Sequence, residues 1–381
     1  MVQAAYIHIP FCQHICHYCD FNKVFIERQP VDQYLDYLEK EIINTVQKVP
    51  FDSMKTIFVG GGTPTALNME QTKKLLEIIN RHLRPFAPNC ELTFEANPGD
   101  LPKEKLNVLL EGGVNRISFG VQTFRDELLE KIGRKHTRED AFLAIREAQE
   151  VGFKNINVDI IYALPGQTIE DVKETLDIAF TLGVQHFSAY SLIVEPKTVF
   201  YNLMNKGKLR LPSEDHEAKM YEMVMDEMEK HGYNQYEISN FSKGDNKSRH
   251  NLTYWNNEEY YGFGAGAHSY VNGERIQNVG PLKQYFNKID ETGFPYLNVH
   301  VVTEKEKMEE ELFLGLRKTK GVSKIAFQKK FNMEMDQVFA KQLQNNQEQG
   351  LLEESDGGGY VRLTRKGKLL GNEVFQSFLI D

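Results

Sequence analysis

Three cysteines lie close together near the amino terminus, with the spacing Cys12-x3-Cys16-x2-Cys19. Iron-sulfur clusters are commonly held by four cysteine thiolates. Three thiolates on a cubane leave one iron with an open coordination position, which a ligand from outside the protein can take. The amino and carboxylate groups of S-adenosylmethionine (SAM) can chelate that iron and place the sulfonium beside the cluster for one-electron cleavage. The spacing therefore predicts a 4Fe-4S cluster with SAM bound to it.

A structural zinc site of the Cys3His type is the alternative, with His14 or His17 as the fourth ligand. Zinc knuckles usually form small modules whose fold depends on the metal. Here the cysteines open a long segment of alternating strand and helix patterns that contains many apolar residues. The iron-sulfur interpretation is therefore preferred.

Two polar motifs follow the next predicted strands. The motif Gly60-Gly-Gly-Thr-Pro64 ends the second strand, and its glycines let the backbone turn sharply and approach a ligand closely. Its exposed carbonyl groups can receive an ammonium group of the ligand. Glu95, at the end of the third strand, can bind an amino group or a ribose hydroxyl, although a solvated strand-end charge is the alternative.

Three further candidates lie along the next two strands. Gln122 follows the fourth strand and offers both donors and acceptors, which suits a ribose or a carboxylate. Arg134 can pair with a carboxylate, although surface arginines are common. Asp159 lies within an apolar strand, where an unpaired charge is costly, so it needs a partner. We expect all three near the ligand.

Short β-rich runs alternate with longer amphipathic runs through the first half of the chain. The predicted strands are 6–9, 56–59, 92–95, 116–119, 156–160 and 186–193. The predicted helices are 31–48, 69–83, 102–111, 138–151 and 168–181. This alternation predicts parallel strands with right-handed crossovers, whose carboxyl ends bind ligands. About six repeats are too few for a closed eight-stranded barrel, so we expect an α/β fold with a partial, open (β/α)6 barrel.

Changes in composition and in periodic pattern along the sequence predict three domains. The barrel with its cysteine loop is expected over 1–231, after which 232–297 is rich in Tyr, Asn and Gly and predicts an irregular or antiparallel extension. The pattern over 298–381 is helix, helix, helix and then strand, as in a winged helix. Residues 301–381 contain 13 Lys and Arg against 13 Asp and Glu, so a packing or partner-binding role is favoured over DNA binding.

Composition narrows the class of protein further. The 381 residues are 41% hydrophobic, enough for substantial cores, and carry a net charge of -9, which gives no general attraction to nucleic acid. No run of residues reaches the ~18 apolar residues of a membrane span. The grouped cysteines differ from the framework of a secreted disulfide protein, so we expect a cytoplasmic protein, at most peripheral to the membrane through partners.

Taken together, the motifs form a specific combination: Tyr6-Ile-His-Ile-Pro-Phe-Cys12, the three-cysteine spacing, Gly60-Gly-Gly-Thr-Pro64, Gly120-Val-Gln122, Gly133-Arg134 and Asp159-Ile-Ile-Tyr-Ala-Leu-Pro165. This combination resembles the coproporphyrinogen dehydrogenase-like branch of the radical SAM proteins over nearly the whole chain, including the carboxy-terminal domain. The resemblance implies that the SAM-binding surfaces include Tyr6, Gly61, Gly62, Thr63, Glu95, Gln122, Arg134 and Asp159.

Two features beside the cluster depart from the dehydrogenases of that branch. Those enzymes usually have a fourth cysteine two residues beyond the third, where this chain has Phe21. They also carry an amino-terminal extension that helps to enclose the substrate, whereas eleven residues precede Cys12 here. Both departures argue against dehydrogenase activity.

The segment His250-Asn-Leu-Thr-Tyr-Trp255 contains the single tryptophan and resembles the motif that marks the HemW family of heme chaperones. A histidine can ligate heme iron axially, and Tyr254 and Trp255 can pack against a porphyrin. The alternative for His250 is a satisfied polar residue in the interior. With the family resemblance, His250 is the candidate heme ligand.

The resemblance implies a heme chaperone that binds heme as cargo and passes it to hemoproteins, among them respiratory membrane proteins. A homodimer linked through the cluster is a further expectation. The alternative function is oxygen-independent coproporphyrinogen III dehydrogenase, a radical oxidative decarboxylation. A third possibility is another radical enzyme, such as a methyltransferase.

Overall fold

A computed structural model of the chain describes residues 1–379. Its first half alternates strands with helices, and these elements are β1 (Ala4–Ile9), β2 (Phe11–Cys12), β3 (Val24–Phe25), α1 (Val31–Lys48), β4 (Met54–Gly61), α2 (Met69–His82), β5 (Phe86–Ala96), α3 (Lys103–Glu111), β6 (Arg116–Gln122), α4 (Asp126–Lys131), α5 (Arg138–Val151), β7 (Asn155–Tyr162), α6 (Ile169–Phe180), β8 (His186–Ser191), α7 (Val199–Asn205) and α8 (Glu214–Lys230). Each predicted strand and helix of this half lies within two residues of an observed boundary or inside a longer element.

The second half begins with short strands and ends in short helices. Its elements are β9 (Asn234–Glu237), β10 (Asn240–Ser242), α9 (Arg249–Trp255), β11 (Tyr261–Phe263), β12 (His268–Val271), β13 (Glu274–Asn278), α10 (Leu282–Thr292), β14 (Tyr296–Val301), α11 (Glu304–Gly315), β15 (Val322–Ser323), α12 (Lys324–Phe331), α13 (Met335–Val338), α14 (Ala340–Glu348), β16 (Leu352–Ser355), β17 (Tyr360–Leu363), α15 (Arg365–Leu369) and α16 (Gly371–Ser377). No described helix is both long and apolar enough to cross a membrane.

The main sheet has nine strands in the order β11-β1-β4-β5-β6-β7-β8-β10-β9. The strands from β11 to β8 are parallel, and β10 pairs antiparallel with both β8 and β9. The edge strands β11 and β9 do not pair with each other within residues 1–379, so the sheet curves without closing. The predicted partial, open barrel is confirmed, with six strands each followed by helix.

Local signals fix where the outer helices begin. Asn68, Thr137 and Thr168 each accept a hydrogen bond from the third residue of α2, α5 or α6, and the side chain of that residue accepts one from the cap's own N–H. These reciprocal capping boxes satisfy backbone donors that a helix start leaves free. They hold the apolar face of each helix on the sheet, where the main core of the molecule lies.

The segment 232–297 differs from the expected irregular or antiparallel extension in one strand. β11 lies beside β1 and runs parallel to it, with Tyr261 opposite Ala5. Tyr233, Phe241 and Tyr261 are buried in the same core as the barrel strands. These aromatic side chains explain the difference, because their burial against the barrel stabilises a strand too short for periodicity to reveal.

The carboxy-terminal segment forms a second core. Apolar residues from α11 to α16 pack around a small antiparallel sheet in the order β15-β17-β16. Helices followed by a strand hairpin match the winged-helix-like pattern expected from the sequence. Ile238 packs partly against this core, and its N–H donates to the carbonyl of Arg317 at 3.0 Å, so the barrel extension and this segment are in direct contact.

Candidate functional site

The three cysteines line one large cavity at the carboxyl ends of the barrel strands. Its volume is about 1270 Å³. Cys12 ends β2 and is buried, and its Sγ accepts a hydrogen bond from Thr63 Oγ1 at 3.7 Å. Cys16 and Cys19 lie in the following loop and are half-buried. Burial raises the pKa of the Cys12 thiol to about 11, and the Thr63 hydroxyl opposes this rise.

The donor set fits a cluster better than a single ion. Within residues 1–379 no three His, Cys, Asp or Glu side chains are grouped closely enough to hold one metal ion. A cubane places each thiolate on a different iron and so holds its cysteines further apart than ligands that share one ion. The three thiols face a common cavity with room for such a cluster. His17, by contrast, makes a hydrogen bond through Nδ1 to the carbonyl of Lys131 at 2.9 Å.

The glycines after β4 are required by close contacts. A Cβ on Gly61 would lie 2.4 Å from the ring of His8, and φ there is +113°, a conformation that favours glycine. A Cβ on Gly62 would lie 2.8–2.9 Å from backbone atoms of Ile9 and Phe11. The two glycines therefore let this loop pack against the end of β1, directly beside the cysteine loop.

Glu95 on β5 faces the cavity beside this loop. Its Oε2 accepts a hydrogen bond from the N–H of Gly61 at 3.1 Å. Burial and the nearby carboxyl of Asp159 raise the pKa of Glu95 to about 8, although Arg116 and Arg134 act in the opposite direction. A carboxyl whose pKa lies near 8 can hold a proton or, once ionised, pair with a cationic group of a ligand.

Arg134 connects the strand ends to the cysteine loop. Its Nη1 donates to Asn97 Oδ1 at 2.6 Å, and its Nη2 donates to the hydroxyl of Tyr18, between Cys16 and Cys19, at 2.9 Å. Asn97 in turn donates to Thr63 Oγ1 at 3.0 Å. The buried Nε of Arg134 has no hydrogen-bond partner in the described chain. This guanidinium therefore orders the loop and keeps one donor for a ligand.

Asp159 on β7 has the partners that its burial requires. Its Oδ1 accepts a hydrogen bond from Asn157 at 2.7 Å, and the hydroxyl of Ser118 approaches its Oδ2 at 3.5 Å. Burial raises the pKa of Asp159. At the end of β6, Gln122 lines the same cavity with φ of +71°, a strained conformation for this residue type that is often found at functional sites.

The charges and donors in the cavity fit SAM as a ligand. The carboxyls of Glu95 and Asp159 can pair with an amino group or accept from ribose hydroxyls, and the guanidiniums of Arg116 and Arg134 can balance a carboxylate. Buried Arg116 also has two nitrogens, Nε and Nη1, without hydrogen-bond partners among residues 1–379. Such unsatisfied donors are costly unless a ligand or water pairs with them.

Two of the predicted ligand residues do not line the cavity. Tyr6 is half-buried and stacks on Phe58 at 6.2 Å between ring centroids, with its hydroxyl 2.9 Å from His8 Nδ1. Phe58 is the residue of this pair that lines the cavity. Tyr6 therefore lies next to the cavity wall, and its part in SAM binding stays a prediction.

His250 is the second predicted ligand residue that does not line the cavity. Its environment differs from that expected of a heme ligand. The side chain is buried, with Nδ1 at 3.0 Å from Thr56 Oγ1 and Nε2 at 2.8 Å from the Tyr254 hydroxyl. Both ring nitrogens are thus occupied, and burial lowers the pKa of His250 to about 3. The ring also stacks on Phe58. In this conformation His250 is a satisfied interior residue and has no nitrogen to offer to iron.

Sequence reasoning missed several polar residues that line the cavity from inside the barrel. Ser118 on β6 and Asn157 on β7 lie four and two positions before the predicted Gln122 and Asp159, and Ser188 and Tyr190 lie two positions apart on β8. Side chains two apart on a strand face the same side. Polar residues spaced by two within otherwise apolar strands were the signal that would have found them.

Comparison with known families matches two parts of the chain. The radical SAM superfamily matches residues 6–179, and the HemN C-terminal domain matches residues 302–370. Among solved structures, coproporphyrinogen III oxidase (HemN) from Escherichia coli, described as a radical SAM enzyme, is similar with a TM-score of 0.86 and 25% sequence identity. That similarity covers 99% of this chain and 90% of that chain.

Relatives named heme chaperone HemW are similar over their whole length. The Bacillus subtilis protein is 57% identical over 99% of both chains, and the Lactococcus lactis protein is 45% identical over 99% of this chain and 97% of its own. The Escherichia coli protein is 32% identical over 99% of this chain and 98% of its own. The radical SAM family implies a 4Fe-4S cluster and SAM, in agreement with the prediction from the cysteines. The chain belongs to the radical SAM superfamily and, within it, to the HemW family.

Proposed function

We propose that this protein is a heme chaperone, which binds heme and transfers it to hemoprotein recipients. The observation that carries the proposal is the 57% identity with the heme chaperone HemW of Bacillus subtilis over 99% of both chains. A likeness that spans the barrel, the extension and the carboxy-terminal segment includes every wall of the cavity, and not the cofactor motifs alone.

The size and lining of the cavity support a large, mostly apolar cargo. Its volume of about 1270 Å³ exceeds the ~300–1,000 Å³ of most small-molecule sites, so SAM leaves room for a second ligand. Phe21 and Ile193 line the cavity and are 61% and 66% exposed. Exposed apolar side chains at a cavity mouth favour contact with an apolar surface such as a porphyrin face. Phe21 stands where the dehydrogenases usually have a fourth cysteine.

The cofactor assignment follows the residues that meet in the cavity. In this proposal Cys12, Cys16 and Cys19 hold a 4Fe-4S cluster. The SAM-binding residues are those that line the cavity around it: Gly61, Gly62, Thr63, Glu95, Gln122, Arg134 and Asp159. Tyr6, which stacks on the cavity-lining Phe58, completes the proposed SAM-binding set. The support comes from the shared cavity and from the unsatisfied donors on Arg134 and Arg116.

The chain's own groups perform binding and orientation. A cluster with SAM, when bound, supplies one-electron chemistry that side chains cannot perform. Arg134 holds the cysteine loop through Tyr18 and the strand ends through Asn97. Glu95, with a pKa raised to about 8 by burial, can release its proton when a cationic group binds beside it. These contacts order the cysteine loop when the site is filled.

The identity of the recipients follows from the family alone. We propose respiratory, membrane-bound hemoproteins as recipients, with the chaperone in the cytoplasm and at the membrane only through those partners. A homodimer linked through the cluster belongs to the same proposal, since two of the three cysteines are half-buried in a loop at the cavity mouth.

Oxygen-independent coproporphyrinogen III dehydrogenase is the second candidate function. The observation in its favour is the similarity to HemN from Escherichia coli, with a TM-score of 0.86 over 99% of this chain. The two functions use the same fold and cofactors, so only the ligand and its fate separate them.

The test is to purify the protein anaerobically, reconstitute the cluster, and measure heme binding and coproporphyrinogen turnover on one preparation. The chaperone proposal predicts stoichiometric heme binding, heme transfer to an apo-hemoprotein, and negligible turnover. Robust turnover without stable heme binding would overturn it. Metal analysis of the same sample tests the cluster, because a colourless protein with stoichiometric zinc would favour the Cys3His alternative.

A further inference from the structure

Arg317 is held between two aromatic rings that come from separate parts of the chain. Its guanidinium carbon lies 4.9 Å from the ring centroid of Trp255 and 4.9 Å from that of Phe375. Trp255 ends α9 in the motif segment, Arg317 follows α11, and Phe375 lies in α16. Contacts with two rings restrict the side chain, so the arginine loses less freedom when it binds an anion.

The side-chain nitrogens of Arg317 have no protein partner. Within residues 1–379 the side chain makes no hydrogen bond or ion pair, and its Nε is buried without a partner. The acidic side chain that acts on it electrostatically is Glu237, whose Oε1 already accepts hydrogen bonds from the Ser239 N–H and the Asn240 amide. Burial lowers the pKa of Arg317, and Glu237 opposes that shift. An unpaired, half-buried guanidinium is costly, and an anionic ligand would offset this cost.

Arg317 lines the same cavity as the cysteines, but from the side of the carboxy-terminal segment. Lys366 and Lys368 line this side as well, and neither forms an ion pair with a described residue. The start of α8, by contrast, contributes acidic residues such as Glu214, whereas the Arg317 side has one acidic residue, Glu373 of α16, beside its three cationic side chains. An anionic group that enters the cavity is therefore repelled by the start of α8 and attracted towards Arg317.

Carboxylate is the ligand chemistry that fits this arrangement. A guanidinium forms two parallel hydrogen bonds to a carboxylate, and this pairing is stronger when water is excluded from its faces. The apolar neighbours Leu369, Leu370 and Phe375 line the same side of the cavity. A ligand with an apolar body and a carboxylate arm matches both features, and heme, with its two propionates, is such a ligand.

We propose that Arg317 binds a propionate of the heme cargo as a bidentate pair, and that Trp255 positions Arg317 for this contact. This inference rests on the proposed function and assigns one residue of its cargo site. It gives the motif tryptophan an indirect role, since Trp255 is not among the residues that line the cavity. The carboxylate of SAM has other partners available, because Arg116 and Arg134 line the cavity at the strand ends on the barrel side.

The test compares heme with heme dimethyl ester, in which both propionates are masked, on reconstituted full-length protein. Wild type should bind heme about ten to a hundred times more tightly than the ester, as expected for a charge-assisted pair. Arg317→Met should lose this preference and bind both ligands with the affinity that wild type shows for the ester. Arg365→Met is the matched control, because Arg365 lies on the same segment but forms its ion pair with Asp226 on the outer surface.

Each outcome separates the two proposals. Failure of wild type to bind either ligand would overturn the proposed function, and this assignment with it. Heme binding with the same preference for free propionates in Arg317→Met would overturn the Arg317 assignment alone. Cluster absorbance, SAM binding and the melting temperature of Arg317→Met should match those of wild type, which excludes a folding defect; loss of SAM binding would instead assign Arg317 to SAM.

Two variants of Trp255 test its positioning role. Trp255→Phe keeps a ring against the guanidinium and should retain most of the preference for heme over its ester. Trp255→Leu removes the ring and should reduce that preference at least threefold, by loosening Arg317, while the affinity for the ester stays the same. An equal loss of affinity for both ligands would show that Trp255 contacts the porphyrin or only stabilises the fold, and would overturn the positioning role.

Discussion

Two regions of the molecule differ in whether their polar side chains already have partners. One is the strand-end wall of the cavity, formed by the cysteine loop and the carboxyl ends of the barrel strands, and the other is the motif helix α9. At the strand ends, Arg134 and Arg116 keep buried nitrogens without partners, and Glu95 holds a pKa of about 8. In α9, His250 has both ring nitrogens hydrogen-bonded inside the protein. The strand-end wall has polar capacity left for a ligand, whereas His250 has used its own capacity in holding the fold.

This difference shows how the histidine of a sequence motif can mark a function without lining the ligand cavity, although Asn251 of the same helix does line it. His250 joins α9 to β4 through Thr56, and the N–H of His250 donates to Glu91 at 3.0 Å at the start of the main part of β5. Trp255, at the other end of the helix, stacks on Arg317. The motif thus connects the barrel to the carboxy-terminal segment, and its effect on heme would pass through the arginine.

The largest effect is expected from the cysteines of the strand-end wall. Replacing Cys12, Cys16 and Cys19 together by alanine removes every thiolate of the cluster loop, so bound iron, sulfide and the brown colour should be lost entirely. Cys90→Ala is the matched control, since Cys90 lies on β5 away from the cavity lining and should leave the cluster intact. Iron and sulfide analysis after reconstitution checks this, and iron retained at wild-type level in the triple variant would contradict the cluster assignment.

A smaller effect is expected at Glu95 of the same wall. Because its pKa is about 8, the carboxyl gains its charge as pH rises, so Glu95 should contribute more to SAM binding at pH 9 than at pH 6.5. Glu95→Gln cannot ionise, while the amino group of SAM titrates in the same way with both proteins, so the ratio of wild-type to variant affinity should rise from near one at pH 6.5 to about tenfold at pH 9. Glu214→Gln, at the cavity mouth, should behave as wild type. Calorimetric titration at the two pH values measures this ratio, and a ratio that does not change with pH would reject Glu95 as the titrating group.

The barrel could be predicted from sequence because its strands are buried on both faces and its helices are amphipathic. The strand ends then placed Glu95, Gln122 and Asp159 at one cavity without knowledge of the fold. β11 could not be predicted, because three residues carry no periodicity and its position beside β1 depends on the packing of Tyr261. The elements that could be predicted are those with a strong periodic pattern, wherever they lie in the chain.

The site was predictable where a residue type implies chemistry by itself, and unpredictable where contacts decide. Cysteine spacing was sufficient for the cluster loop. The sequence cannot show whether the ring nitrogens of His250 are free, because their hydrogen bonds to Thr56 and Tyr254 form only when the chain folds. Arg317 had no local signal either, because its rings are 62 and 58 positions away in the chain.

The motif helix makes a prediction about pH and stability. Burial lowers the pKa of folded His250 to about 3 from an unfolded value of 6.5. Between these values the unfolded chain holds a proton that the folded chain lacks, so the contribution of His250 is full above pH 6.5 and is lost as pH falls. Relative to His250→Gln, which cannot titrate, wild type should lose up to ~1.4 kcal/mol of unfolding free energy per pH unit below that value.

Urea unfolding of both proteins at pH 7 and pH 5.5 measures this difference, and other buried histidines cancel because they titrate in both. The heme absorption spectrum of His250→Gln should match that of wild type. A shifted spectrum together with parallel pH profiles would restore His250 as an iron ligand.

The smallest effect is expected at Tyr254, whose hydroxyl bonds His250 Nε2 at 2.8 Å. Tyr254→Phe removes that partner and leaves a buried ring nitrogen unsatisfied, so the free energy of unfolding should fall by about 1 kcal/mol. Tyr37→Phe, which loses an exposed hydrogen bond to Asp290, is the control and should cost less. Heme affinity should stay unchanged in both, because in this conformation the Tyr254 hydroxyl serves the fold. Weaker heme binding by Tyr254→Phe at unchanged stability would mean that Tyr254 contacts the ligand, and the contrast between the two regions would fail.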